Sequence, residues 1–167
     1  MNLTPCQCLI LACGNTLRGD DGVGPWLAEW ARDQFSSKAG VRCVARQQWT
    51  PDLAEEIAHT ASVIFLDCAA DSAPGQIHLV PIKPSAELPR LLTHNLTASD
   101  LMAFCRTFYD SLPHNAFLLT VGGGAFDLHE GFSDPVQAAL SDAKGVLEGT
   151  VLRLLAKAPV SKVARQA

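Results

Sequence analysis

This sequence predicts a single α/β domain over residues 1–167, built on a mostly parallel, mixed sheet with helices on both faces. Three observations carry that prediction. Nearly uninterrupted apolar runs recur at residues 8–13 (CLILAC), 62–66 (SVIFL) and 117–121 (FLLTV), the composition of strands buried on both faces. Segments of helical spacing lie between them, and such alternation implies parallel strands joined by crossovers. Finally, the chain shows no internal repeat and no linker that would divide it.

The elements follow in order. After the first strand, Val23, Trp26, Leu27, Trp30 and Ala31 recur at helical spacing across residues 22–35, with Pro25 tolerable in the first turn. Residues 41–45 read as a short second strand. Thr50-Pro51-Asp52 has the makings of a helix start, with a capping hydroxyl, a proline at the first helical position and an early carboxylate; that helix is expected to reach about His59. A buried strand over 62–66 ends at Asp67. Ser72-Ala73-Pro74-Gly75 turns the chain into a short strand at 76–80, and the proline-rich stretch 81–89 reads as a loop. Thr97-Ala98-Ser99-Asp100 resembles a capping box for a helix ending near Phe108. After the strand at 117–121 comes Gly122-Gly123-Gly124, able to cradle an anion, to hinge, or to let elements pack closely. Ser133-Asp134-Pro135 opens a last helix extending towards Leu155, with Gly145 and Gly149 as points of interruption and a frayed tail from Pro159.

Composition removes several classes of function. A formal net charge of −4 argues against a nucleic-acid partner, which requires a basic face. No apolar run approaches the roughly 18–20 residues needed to span a membrane. The first residues, MNLTPCQCLILACGN, have no basic segment ahead of the apolar run, so they read as a strand and not as a secretory signal, and a cytoplasmic protein is expected. In that compartment the six cysteines (Cys6, Cys8, Cys13, Cys43, Cys68, Cys105) should be reduced, and most sit in apolar segments as small core residues. Cys6 and Cys8, two apart, share a strand face if the strand starts early, but no second pair completes a metal site.

The first strand feeds the turn Asn15-Thr16-Leu17-Arg18-Gly19-Asp20-Asp21-Gly22-Val23-Gly24. A glycine-rich strand-to-helix turn usually holds phosphate, yet this one carries two adjacent aspartates. It lacks GxxxxGK[ST] and the GxGxxG spacing, and its charge would repel a pyrophosphate; GxSxG and HExxH are absent as well. In open α/β sheets ligands bind beyond the carboxyl ends of the strands, where Asp20 and Asp21 lie after strand one and Asp67 after another. His94, in Thr93-His94-Asn95, is within reach of that edge. Taken singly, Asp20 reads as a turn former or helix cap worth about 1 kcal/mol. His59, His78, His114 and His129 read as surface residues. Together, two carboxylates and one imidazole delivered to one edge by separate loops would form an open site for a divalent transition ion.

These segments resemble a known family. Gly14-Asn15-Thr16-Leu17-Arg18-Gly19-Asp20-Asp21-Gly22-Val23-Gly24 resembles the GNxLxxDDGxG motif of the nickel–iron hydrogenase maturation endopeptidases. Phe65-Leu66-Asp67 with Pro74-Gly75 resembles that family's second acidic segment, and Thr93-His94-Asn95 its histidine segment, so that the likeness covers roughly residues 8–156. The resemblance implies a cytosolic endopeptidase that removes a C-terminal extension from a hydrogenase large-subunit precursor after nickel insertion, and a monomer is expected. Nickel would arrive with the precursor, and Asp21, Asp67 and His94 would contact it. One segment departs from the pattern: many members carry a glycine-rich DGG-type stretch after the second strand, where this chain reads Arg46-Gln47-Gln48-Trp49-Thr50-Pro51-Asp52-Leu53, similar to the variant in proteases serving cytosolic NAD-linked hydrogenases.

No serine or cysteine has an evident partner base. The ion would therefore either activate the scissile carbonyl or attacking water, or only dock the substrate while a carboxylate such as Asp21 serves as general base. Two other classes stay open: a non-hydrolytic nickel-binding maturation chaperone using the same three residues, and a small-ligand module of flavodoxin-like type binding through the glycine loops.

Overall fold

A computed structural model describes residues 6–89 and 95–157. Five strands form one sheet in the order β2-β1-β3-β5-β4: β1 Cys8–Cys13, β2 Val41–Arg46, β3 Ser62–Ala69, β4 Ile77–Pro81 and β5 Asn115–Gly122. The first four in that order run parallel, and β4 pairs antiparallel with β5 at the edge. The predicted α/β class and its mixed sheet are thus observed.

The apolar runs are strands with two buried faces. Cys8, Ile10 and Ala12 of β1 and Ile64 and Leu66 of β3 pack under α1 (Val23–Gln34) and α4 (Asp134–Lys157). Their alternates Leu9, Leu11, Val63 and Phe65 pack under α2 (Leu53–Ala58) and α3 (Ala98–Tyr109). Period-2 alternation therefore decides which helical layer each side chain meets. Cys6 packs with the second core and Cys8 with the first, so the two do not share a face; β1 begins only at Cys8. All six cysteines are free.

Three expected boundaries move. Thr50-Pro51-Asp52 does not open α2. Leu53, Ala54 and Glu55 donate to the carbonyls of Thr50, Pro51 and Asp52 at 3.1–3.3 Å, a tight 3₁₀-type turn ahead of the helix, and Asp52 makes no side-chain cap. The third strand passes through Asp67 to Ala69. Helix α4 runs unbroken through Gly145 and Gly149, because a stripe from Val136 through Leu147 to Leu154 is buried against the sheet and outweighs about 1 kcal/mol of propensity per glycine. The capping box at Thr97 and Asp100 is present as expected. Residues from 158 on, including the tail from Pro159, lie outside the described residues. Among the described residues no helix is long and apolar enough to cross a membrane.

Candidate functional site

Strand β1 is followed by α1 and β2 on one side, whereas β3 leads towards β4 at the other edge of the sheet. The carboxyl ends of β1 and β3 therefore flank a switch point, where open α/β sheets form their ligand crevice. A cavity of about 580 Å³ opens there. Cys13 and Gly14 line it from the end of β1, Asp21 from the following turn, Gln47, Gln48 and Trp49 from the segment after β2, Asp67 from β3, and Asn95 from ahead of α3.

Asp21 and Asp67 reach this cavity by different means. Gly14 sits at φ +141°, and a Cβ there would come 2.0 Å from the Asp21 carbonyl oxygen, so only glycine lets the turn fold back this closely. Residues 19–22 form a short 3₁₀ turn. The Asp21 carboxylate accepts a bond from the Asn15 backbone N–H at 2.8 Å. Asp67 follows Phe65 by two residues, so it stands on the α2–α3 side of β3, and its Oδ1 accepts from the Cys68 N–H at 2.8 Å. Burial pushes the Asp67 carboxyl up to about 6; the bond from Cys68 N–H opposes the shift, the Asp21 charge adds to it, and the neighbouring Trp49 side chain opposes it again. The Cys13 thiol is pushed up to about 12 by burial and by the charges of Asp67 and Asp21, as the absence of a nucleophile in the sequence reading requires.

Asp20 faces the other way. It is completely buried and caps no helix. Its Oδ2 accepts from Gly124 N (2.9 Å), Ala125 N (3.0 Å) and Ser133 Oγ (2.8 Å), and its Oδ1 from Ser133 N (2.8 Å). Burial alone would raise its pKa, but these donors outweigh it and hold the carboxyl below its ordinary value. Of the triglycine run, Gly124 donates to this internal anion, while Gly122 and Gly123 allow close packing against Ala73 and Cys68. Asp20 N also donates to Ala125 O, Gly19 N to His129 O, and Arg18 Nε to Phe126 O, so the acidic turn and the β5–α4 loop are stitched together. The reading of Asp20 as a cap is corrected to a latch between two loops.

His94 lies outside the described residues, so the structure brings together two of the three expected site residues. Among the described residues no three His, Cys, Asp or Glu side chains are grouped to hold a metal ion. His59, His78, His114 and His129 are exposed, as expected. The sequence reading passed over Trp49, whose only signal was its place just after a strand at the carboxyl edge. It also passed over Ser133, which it saw merely as a helix start.

No family model and no curated protein matches the chain significantly. Solved structures do match. The hydrogenase maturating endopeptidase HybD from E. coli superposes with a TM-score of 0.69 at 20% identity, over 88% of this chain and 93% of that one. The [NiFe] hydrogenase maturation protease HycI from Thermococcus kodakarensis gives 0.65 at 21% identity, over 90% and 93%. The hydrogenase 2 maturation peptidase from a Thaumarchaeota archaeon gives 0.60 at 22%, over 87% and 97%. The chain has the hydrogenase maturation protease fold. Within that maturation-protease fold, the two acids that the motif resemblance singles out line one cavity at the carboxyl edge, and the third acid is spent on holding the turn.

Proposed function

We propose that this protein is a cytoplasmic, monomeric endopeptidase that removes the C-terminal extension of a nickel–iron hydrogenase large-subunit precursor once nickel has been inserted. The observation that carries the reading is the convergence of Asp21 and Asp67, taken from separate motifs, on one cavity of a maturation-protease fold. Nickel belongs to the substrate. Asp21 and Asp67 meet it with carboxylate oxygens and His94 with an imidazole nitrogen, while precursor thiolates supply the softer ligands it prefers. Two carboxylates and one imidazole leave the shell of a transition ion incomplete, which suits an ion that arrives already bound to other ligands.

The chain's own contributions are orientation and proton transfer. Asn15 N–H and Cys68 N–H each fix one carboxylate oxygen, so both acids present a defined edge to the cavity. A divalent ion placed there supplies Lewis acidity at the scissile carbonyl. Where the ion only docks the substrate, Asp21 at the cavity wall is the carboxylate that would take a proton from the attacking water. No thiol competes for the nucleophile's role, since burial keeps Cys13 and Cys68 protonated at about 12. A flavodoxin-like phosphate module is disfavoured by the same geometry: the N–H groups of Gly124 and Ala125 are already occupied by Asp20.

The test is incubation with nickel-loaded precursor, followed by mass spectrometry of the large subunit. A shortened large subunit, with nickel-free precursor left intact, is expected. An uncut precursor that nonetheless binds the protein would make it a maturation chaperone instead.

A further inference from the structure

The sheet ends at β2, and the outer edge of that strand is open. Strand β2 pairs with β1, and among the described residues no other strand pairs with it. Cys8 N donates to Gly40 O at 3.0 Å and Gly14 N to Arg46 O at 3.1 Å, so Arg42, Val44 and Arg46 are the residues of β2 that bond to β1. In a parallel ladder the residues between them turn their N–H and C=O groups away from it. The Val41 N–H is taken by Lys38 O, which leaves Cys43 and Ala45 to face outward. The Arg46 guanidinium donates to Ala45 O at 3.0 Å, a side chain standing where the N–H of a further strand would. Of the devices that blunt sheet edges, β2 has neither proline nor bulge, since its register is unbroken from Val41 to Arg46; it has only charge.

Charge decides what can pair there. Arg42 and Arg46 are in register with Leu9 and Cys13, on the α2–α3 face, while Arg32 and Lys38 line a small cavity of about 190 Å³ beside Val41 and Cys43. Four of the 13 Lys and Arg residues thus border one six-residue strand in a chain of net charge −4, and among the described residues only Arg42 of the four has an ion-pair partner, Glu56 at 2.7 Å. A second copy of β2 would set like charges against each other, whereas an acidic segment would be attracted. The small cavity, walled also by Ala31 and Phe35, can take an alternate side chain of such a segment, as pockets do where a peptide adds to a sheet edge. The strand also leads to the site. Gln47, Gln48 and Trp49, directly after β2, line the cavity that holds Asp21 and Asp67, and no residue of β4, at the opposite edge, does. A chain laid along β2, about 20 Å in length, runs into that cavity.

We propose that the free edge of β2 is a docking site for the substrate, where an acidic, extended stretch of the precursor beside its scissile bond adds to the sheet as a sixth strand, bonded to Cys43 and Ala45. The proposal rests on the endopeptidase reading, which supplies the peptide, but backbone pairing needs no metal. A synthetic peptide spanning the precursor's cut is therefore a sufficient probe. In residue-resolved hydrogen exchange of the wild-type protein, millimolar peptide should slow the Cys43 and Ala45 amides by about 10-fold or more, leaving those of Arg42 and Val44, already bonded to β1, unchanged. Combining Lys38→Glu with Arg46→Glu, both exposed side chains, should raise KM for nickel-loaded precursor by about 10-fold, with kcat within about twofold of wild type and the melting temperature held. Absent protection at Cys43 and Ala45, or protection without that alternation, would overturn strand addition, and an unchanged KM would overturn selection by charge; both results leave processing by the wild-type protein intact. Nickel-loaded precursor left uncut by the wild-type protein would instead overturn the endopeptidase reading, and the docking with it.

Discussion

Replacing Asp20 gives a sharp measure of what the acidic turn is for. In Asp20→Asn only one side-chain oxygen remains to accept, where the carboxylate used both: Oδ2 for Gly124, Ala125 and the Ser133 hydroxyl, and Oδ1 for the Ser133 N–H. Whichever way the amide is turned, its NH₂ group meets at least one backbone N–H that has lost its acceptor. A buried donor left unpaired costs about 1–3 kcal/mol, and the surviving bonds fall from charge-assisted to neutral strength. Relief from burying a charge offsets part of this. The expected loss is about 2–4 kcal/mol for Asp20→Asn and about 3–5 kcal/mol for Asp20→Ala, which strands every donor. Urea unfolding at neutral pH, with midpoint and slope fitted separately, measures both. Because the Asp20 pKa is lowered in the folded protein, the latch acts fully above the ordinary carboxylate range and is lost as pH falls through the folded value, so the wild-type advantage should shrink on acidification. Losses within about 1 kcal/mol for both variants, the size of a helix cap, would refute the latch.

Asp21→Asn should abolish precursor processing while leaving the urea midpoint nearly unchanged, since its one bond, to Asn15 N, is retained by an amide oxygen; equal folding with undiminished processing would remove Asp21 from the site. Asp67→Asn should make the metal-free protein more stable near pH 7.5, by about 1–3 kcal/mol after allowance for partial exposure, because the folded state holds the carboxyl up near 6. That gain is absent below about pH 4, where folded and unfolded states are both protonated, and grows as pH rises to 6; thermal melts across this range check it. Asp100 is held below its ordinary value: burial opposes the shift, but the Ser85 hydroxyl and the Thr97 N–H and hydroxyl outweigh it. Its contribution is therefore present above the ordinary carboxylate range and lost as pH falls through the lowered folded value, so Asp100→Ala should lower the melting temperature more at pH 7 than under strongly acid conditions.

The strands were legible because burial on both faces leaves no polar alternation to mislead, and the capping box at Thr97 because its two bonds are local. What escaped the sequence was long-range. Nothing near Asp20 distinguishes a cap from a latch; the partners that decide it lie 104 to 113 residues away. Trp49 escaped for a related reason, since its neighbour Phe65 belongs to a strand on the far side of β1 from its own segment. The failed start at Thr50-Pro51-Asp52 is a different case. There the local signals were real, but a 3₁₀-type turn took up the N–H groups of Leu53, Ala54 and Glu55 that a side-chain cap could have served.

The two adjacent aspartates thus divide the work of one turn, and their environments say why both are needed. On the reading proposed above, a carboxylate that meets an incoming cation has to be held on a turn that cannot recoil from its neighbour's charge, for Asp67 lines the same cavity and the Asp21 charge raises the cost of ionising Asp67. The Asn15 N–H alone is a weak tether for such a turn. Asp20 supplies the rest, since a buried charge bonded to the β5–α4 loop ties the 3₁₀ turn to a second element. The repulsion left between Asp21 and Asp67 then becomes useful. On that reading it is relieved when positive charge enters the cavity, whether a proton on Asp67 or a metal ion carried by the substrate, and a metal-bearing substrate would be favoured on that account.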